Sequence, residues 1–222
     1  LRAGLIGEGV PLDGPYGARP LLYADYVASG RALRQVEDFI LEQVLPYYAN
    51  SHTEASYCGA FCTRTREEAR RTIARLLGAG PDTAVVFAGS GATAGINRLV
   101  RLLDLPCAAA RGEKAVVFHG PYEHHSNILP WRESGALVVE IPEGAAGGPD
   151  LAVLEAALEE HAGAALKVGA FSAASNVTGI VADSEAVTRL LKRHGALAIW
   201  DYAGGAPYLP MHMGDGDTAK DA

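Results

Sequence analysis

Beyond Ala84, short apolar runs alternate with amphipathic segments of helical period, and this alternation constrains the fold more than any other feature. The runs are 'AVVFA' (84–88), 'AVVFH' (115–119), 'ALVVEI' (136–141), 'LKVGAFS' (166–172) and 'ALAIW' (196–200). Each is short and nearly continuous in apolar residues, as a strand buried on both faces must be. The stretches between them predict helices at 'ATAGINRLVRLLD', 'HHSNILPWRES', 'DLAVLEAALEEH' and 'DSEAVTRLLKRH'. Asp150 and Asp183 stand where N-caps belong, and Gly195 where a helix stops. Strands separated by helices build an α/β fold, a mainly parallel sheet with helices on both faces. The loosest connection, 'PEGAAGGPD', reads as a surface loop within a domain.

The first third of the chain has a different grammar. Helical spacing of Val36, Phe39, Ile40 and Val44 predicts a helix in 'RALRQVEDFILEQVLPYY', ended or bent by Pro46. The polar stretch 'ANSHTEASYCG' reads as a loop, and 'TREEARRTIARLLGAG' as a second amphipathic helix. The domains expected are an N-terminal segment and helix (1–50) and one large domain (51–222). A net charge of −7 leaves no basic stripe for nucleic acid. No apolar run reaches the ~18 residues of a membrane span, and 'LRAGLIGEGVPLDG' lacks a signal-peptide layout. The expectation is a soluble, cytoplasmic protein. Cys58, Cys62 and Cys107 show no metal-ligand spacing and read as reduced structural cysteines.

In open parallel sheets, ligands bind beyond the carboxyl ends of the strands. Four of the predicted ends carry unusual residues: 'GSGATAGIN', 'GPYEHHSN', 'AASNVTG' and the single acid Asp201. Gly91, Ala92 and Thr93 open a helix, where free N–H groups and a hydroxyl can hold a phosphate. The plain alternative is a tight turn with Thr93 as N-cap. The stretch matches neither the Gly-Lys-Ser/Thr phosphate loop nor G-x-G-x-x-G. His124 and His125 suit helix capping or, for one of them, stacking over a flat aromatic ligand. A metal shared with His119 is the weaker reading, because adjacent histidines rarely ligate one ion together. Asn176 is of a type common in turns. Asp201 either caps a turn or awaits a cation, since acids are seldom placed at buried strand ends without a partner.

Taken together, the segments 'YADYVASGRAL', 'NSHTEASYCG', 'FAGSGATAGINRLV', 'EHHSNILPWRE', 'SAASNVTGIV' and 'WDYAGGAP' resemble, in order, the class V aminotransferase and cysteine desulfurase family. These are pyridoxal 5′-phosphate (PLP) enzymes, transferases and lyases, with the large domain of fold type I. By that similarity Gly91, Ala92 and Thr93 would hold the cofactor phosphate. His124 would stack on the pyridine ring and Asn176 would lie near its phenolic oxygen. Asp201 would pair with the ring nitrogen and keep it protonated. The resemblance implies a small amino-acid substrate and a homodimer in the full-length enzyme.

Three departures qualify the resemblance. Desulfurases usually carry glutamine three residues after the aspartate, where this chain has Gly204. None of the three cysteines matches the sulfur-accepting one. The family's cofactor-anchoring lysine lies roughly two dozen residues beyond the aspartate, on the far side of the next strand. Lys220 falls short of it, and Lys167 and Lys192 lie in elements with no reason to face the pocket. The chain therefore reads as the N-terminal part of a longer enzyme, incomplete at the C-terminus. In that fold two later strands lie between the fifth and the first, so 'AVVFA' is expected to lack a neighbour and two strand edges to lie open. Two other classes compete with a PLP enzyme acting on an amino acid. One is a non-catalytic binding module that keeps the pocket without its lysine, and the other a nucleotide-binding protein using 'GSGAT'.

Overall fold

A computed structural model describes residues 1–206 and 208–222, so Pro207, the last residue of 'WDYAGGAP', lies outside the described residues. The chain forms two compact units, Leu1–Ile73 and Ala74–Ala222.

In the first unit a short antiparallel pair, β1 (Pro11–Leu12) and β2 (Arg19–Pro20), precedes α1 (Arg34–Phe39). The predicted first helix is present but changes pitch twice. α1 passes into a π turn at Ile40–Val44 and a 3-10 turn at Leu45–Tyr47, where Pro46 ends it. The next helix, α2 (Tyr57–Leu76), begins earlier than its charged stretch suggested. Tyr57, Cys58 and Gly59, read from sequence as loop, belong to its first turn. Ser56 Oγ accepts from Gly59 N at 3.1 Å and so supports that turn.

The second unit contains α3 (Gly91–Leu102), α4 (Leu105–Ala110), β3 (Ala115–His119), α5 (Leu129–Glu133), β4 (Leu137–Glu140), α6 (Leu151–Glu160), β5 (Leu166–Ser172), α7 (Ser184–Arg193) and β6 (Leu197–Asp201). The four strands form one parallel sheet in the order β4-β3-β5-β6. Alternation along β3 divides its side chains between two cores. Val116 and Phe118 pack with Leu154 and Leu158 of α6 and Val187, Leu190 and Leu191 of α7. Ala115 and Val117 pack on the other face with Ile96 and Val100 of α3, Leu105 of α4 and Trp131 of α5. Helices thus cover both faces, as the continuous apolar strands required. Burying Phe118 or Trp131, both fully inaccessible, contributes about 1.5–3 kcal/mol each.

The helix ends follow the expected chemistry. Asp150 Oδ1 accepts from Ala152 N and Val153 N at 2.9 and 3.1 Å, and Asp183 Oδ1 from Ala186 N at 3.0 Å. Gly195 terminates the α7 region with φ +66°, a left-handed conformation suited to glycine. The short α4, with Pro106 in its first turn, was not foreseen. Its 'LPCAAA' sequence shows no helical period, and burial of Leu105 and Ala108 holds it in place.

Residues 84–88 form no strand. Their β-rich sequence predicts one, but the four-stranded sheet gives them no neighbour, and Val86 and Phe87 are exposed. The expected open edge beside β6 is partly covered. Ala222 O accepts from Trp200 N at 2.9 Å, Asp221 N donates to Ala198 O at 2.9 Å, and Asp221 Oδ2 accepts from Ala198 N at 2.7 Å. Lys192 Nζ holds the same carboxylate at 2.6 Å. Residues 221–222 therefore run along β6, and Lys220 precedes that pairing.

Candidate functional site

A cavity of about 440 Å³ opens at the carboxyl ends of the strands, lined among others by Gly91, Ala92, Asn127, Asp201 and Tyr202. Gly89 (φ +111°) and Gly91 (φ +65°) turn the chain sharply into α3, in conformations a Cβ would strain. The N-cap of α3 is Ser90, and its side chain makes no capping hydrogen bond. The first-turn N–H groups of a twelve-residue helix thus lack a side-chain acceptor, and the helix dipole adds positive potential there.

Thr93 does not cap the helix, contrary to the plain reading of 'GSGAT'. Its Oγ1 donates to Ser126 Oγ at 2.8 Å, and Ser126 Oγ lies 2.9 Å from His124 Nδ1. Ser126 N also donates to His124 Nδ1, at 3.3 Å. Because a backbone N–H can only donate, Nδ1 is the accepting nitrogen and the neutral ring carries its proton on Nε2. His124 therefore does cap a turn, the 3-10 turn His125–Asn127, but with one nitrogen only. The chain Thr93–Ser126–His124 ties the start of α3 to the loop after β3. His125 meets His124 edge-on, with ring centroids 5.6 Å apart, and has no hydrogen bond of this kind.

Asp201 ends β6, half-buried, in register with Ser172 of β5. Its Oδ1 accepts from Ala203 N at 2.8 Å, so the turn-capping role is real. Among the described residues no Lys, Arg or His forms an ion pair with it. Asp201 lines the cavity without an ion-pair partner among the described residues. Asn176 behaves differently. It sits exposed in the turn 176–178, held by Ser175 Oγ accepting from Val177 N and Thr178 N. Like Thr93 and His124, it is not among the residues that line the cavity, and among the described residues it has no hydrogen bond to the Thr93–Ser126–His124 chain.

Three residues of the site had no sequence reading: Glu123, Ser126 and Asn127. Glu123 turns its carboxylate inward. Oε1 accepts from Gly120 N at 3.2 Å and Ser172 N at 3.0 Å, and Oε2 from Ser172 Oγ at 2.5 Å and Asn127 Nδ2 at 2.7 Å. Asn127 Oδ1 in turn accepts from Trp131 Nε1 at 2.9 Å. This network clamps the loop after β3 to the end of β5. Desolvation by burial pushes the Glu123 carboxyl above its ordinary pKa, against the four donors that lower it. The signal was the spacing Glu123-x-x-x-Asn127-x-x-x-Trp131, one polar or amphipathic residue every fourth position. It was hidden by the neighbouring histidines.

His119 is buried. Its Nδ1–H donates to Gly120 O at 3.0 Å, and its Nε2 has no hydrogen-bond partner. Among the described residues no group of three His, Cys, Asp or Glu side chains is arranged to hold a metal. The cysteines are free. Cys62 Sγ accepts from Ala49 N at 3.3 Å, a structural contact. The exposed Cys107 thiol is pushed above its usual pKa, chiefly by its hydrogen bond with Asp104, which makes it a poor nucleophile. Among the described residues no helix is long and apolar enough to cross a membrane.

Comparison with known proteins brings these features together. The family model for class V aminotransferases matches residues 22–218. A probable cysteine desulfurase of Aeropyrum pernix is 32% identical over 200 residues, covering 87% of this chain and 46% of the relative. Another from Mycobacterium leprae is 30% identical over 205 residues, covering 89% and 32%. The apo cysteine desulfurase of Thermococcus onnurineus superposes with a TM-score of 0.73 at 25% identity, covering 90% of this chain and 48% of that one. A cysteine desulfurase of Escherichia coli gives a TM-score of 0.65 at 25% identity, covering 86% and 47%. The chain spans half or less of the length of these relatives.

Proposed function

The chain belongs to the class V aminotransferase family, and on that premise we propose that it forms the cofactor-binding part of a PLP-dependent enzyme acting on an amino acid, of cysteine desulfurase or aminotransferase type. The observation that carries the proposal is the pairing, in one cavity, of an acid without a cationic partner and a helix N-terminus without a side-chain cap. One end attracts a protonated ring nitrogen and the other a phosphate, the two charged extremities of PLP. When bound, PLP supplies an electron sink for negative charge developing at the substrate α-carbon.

Each residue of the chain then has a part. The N–H groups at Gly91, Ala92 and Thr93 would hold the phosphate. Asp201 would hold the proton on the ring nitrogen, an attraction stronger in a cavity than in water. His124, fixed through Nδ1 by Ser126, would stack on the pyridine ring as the resemblance implies, with a donor kept at Nε2. Glu123 holds the His124 loop in place without touching the ligand. Asn176, exposed and outside both the cavity lining and the Thr93–Ser126–His124 chain, is the least supported member of the set. On this reading the cofactor domain expected over 51–222 has its cavity in the unit Ala74–Ala222, the full-length enzyme is a homodimer, and no lysine is among the residues lining the cavity. Lys192 is held by Asp221, and Lys167 sits near the amino end of β5.

The test is Asp201→Asn in the full-length enzyme. Cofactor content should stay near wild type, because the phosphate contacts are intact. Turnover should fall by about a hundredfold or more, since a neutral amide does not hold the ring proton. Near-normal turnover would remove Asp201 from this role, and the PLP reading with it.

A further inference from the structure

The first unit holds a second cavity, of about 380 Å³, lined by residues of the loop before α2 and of α2 itself. Arg66 projects from α2 into it. Its Nη1 lies 3.4 Å from Ser51 Oγ and 3.2 Å from His52 Nε2, and these are its only hydrogen-bond partners among the described residues. Guanidinium nitrogens only donate, so His52 accepts at Nε2 and carries its proton on Nδ1. Both partners are neutral and both contacts long, while a guanidinium offers five N–H donors. The acid next along α2, Glu67, is engaged by Arg70. No carboxylate among the described residues pairs with Arg66.

The loop is held in the shape that brings these groups together. His52 has φ +74°, in the left-handed region that residues with a Cβ avoid. Thr63 Oγ1 fixes it there, accepting from His52 N at 3.1 Å while donating to Gly59 O at 2.8 Å. Val44, Phe61 and Ala69 give the lining an apolar share, beside the polar Asn50, Ser51 and Thr65.

We propose that this cavity binds a small organic carboxylate, with its charge on Arg66 and Ser51 and its apolar body against Val44 and Phe61. The planar fork of arginine matches a carboxylate's two oxygens. A single fixed cation beside a neutral imidazole suits a monoanion, and the apolar share of the lining suits an acid with a hydrocarbon body. Inorganic phosphate lacks the hydrocarbon body, and near neutral pH much of it is dianionic. The proposal rests on residues of the first unit alone, and stands or falls apart from the PLP reading.

The experiment uses protein labelled with ¹⁵N at arginine side chains and histidine rings. Isovalerate and inorganic phosphate are titrated separately at constant ionic strength. Isovalerate should give saturable shifts at Arg66 Nε and the His52 ring. Binding should weaken by about tenfold or more in Arg66→Gln and stay unchanged in Arg64→Gln, a neighbouring exposed cation. If Arg66→Gln does not fold, Arg66→Lys decides. It keeps the charge but loses the fork, and should bind more weakly than wild type. Saturation by phosphate but not isovalerate overturns the proposal. So does the absence of saturable shifts, or wild-type binding in every folded Arg66 variant.

Discussion

Replacing Glu123 by glutamine tests whether the inward-turned carboxylate organises the loop that carries His124. The substitution conserves shape, so the outcome depends on which atoms donate. Glu123 accepts from four donors: Gly120 N, Ser172 N, Ser172 Oγ and Asn127 Nδ2. In the glutamine variant the amide oxygen can serve Gly120 N and Ser172 N, and the amide nitrogen then meets Asn127 Nδ2. Two N–H donors face each other. Asn127 cannot relieve this by flipping, because its Oδ1 is committed to the buried Trp131 Nε1. One buried donor is left unsatisfied, at a cost of about 1–3 kcal/mol. Glu123→Ala removes this acceptor from all four donors and leaves only Asn127 Nδ2 a longer contact, 3.4 Å to Ala170 O; it should cost about 3 kcal/mol or more. Equilibrium urea unfolding measures both.

The pH dependence carries a sign that separates this account from a generic packing defect. Burial raises the folded-state pKa of Glu123 above its unfolded value. The stabilising contribution of such a group is fully present below the unfolded pKa, near pH 4, and is lost as pH rises through the folded pKa. The protonated acid keeps every contact, since it donates to Ser172 Oγ and still accepts from the N–H groups. The stability gap between wild type and Glu123→Gln should therefore be widest in acid and narrow as pH rises. Adding Asn127→Asp to the glutamine variant supplies an acceptor opposite the new donor. It should recover at least about 1 kcal/mol relative to additivity. A gap independent of pH, together with additive single and double variants, would refute the assignment of Glu123 as the clamp.

His124→Ala should weaken cofactor retention and turnover together in the full-length enzyme, whereas His125→Ala should change each by less than about threefold. Dialysis followed by cofactor assay and initial rates distinguishes them. Asp150→Ala and Asp183→Ala should each lower stability by about 1 kcal/mol in urea unfolding, since each removes a side-chain acceptor from a helix start, and neither should alter cofactor binding.

What was legible in the sequence follows from how locally each feature is encoded. The parallel sheet was readable because 'AVVFH', 'LKVGAFS' and 'ALAIW' each carry their own burial pattern, and the caps because Asp150 and Asp183 act within three residues of themselves. The stretch 'AVVFA' shows the limit of such reading. It has the composition of the other strands, but a strand exists only through a hydrogen-bonded neighbour, and the sheet order supplies none beside it. α4 escaped for the opposite reason, being held by tertiary burial with no periodicity of its own. The site divided in the same way. Asp201 and the 'GSGAT' turn stood out because an acid after an apolar strand and glycines before a helix are locally odd. Ser126 and Asn127 lay within the helix predicted at 'HHSNILPWRES' with nothing local to single them out, because their function is a distance. Thr93 and Ser126 are 33 positions apart in the chain and 2.8 Å apart in space. Glu123 combines both cases. A buried carboxylate stable enough to persist must gather its donors from several segments, and here they come from the β3 loop, the turn at Asn127 and the end of β5. Those segments converge at the carboxyl edge of the sheet because parallel strands deliver their loops to one end. The clamp therefore arises at the same edge as the cavity lined by Asp201, and the fold that creates the opening also supplies the frame around it.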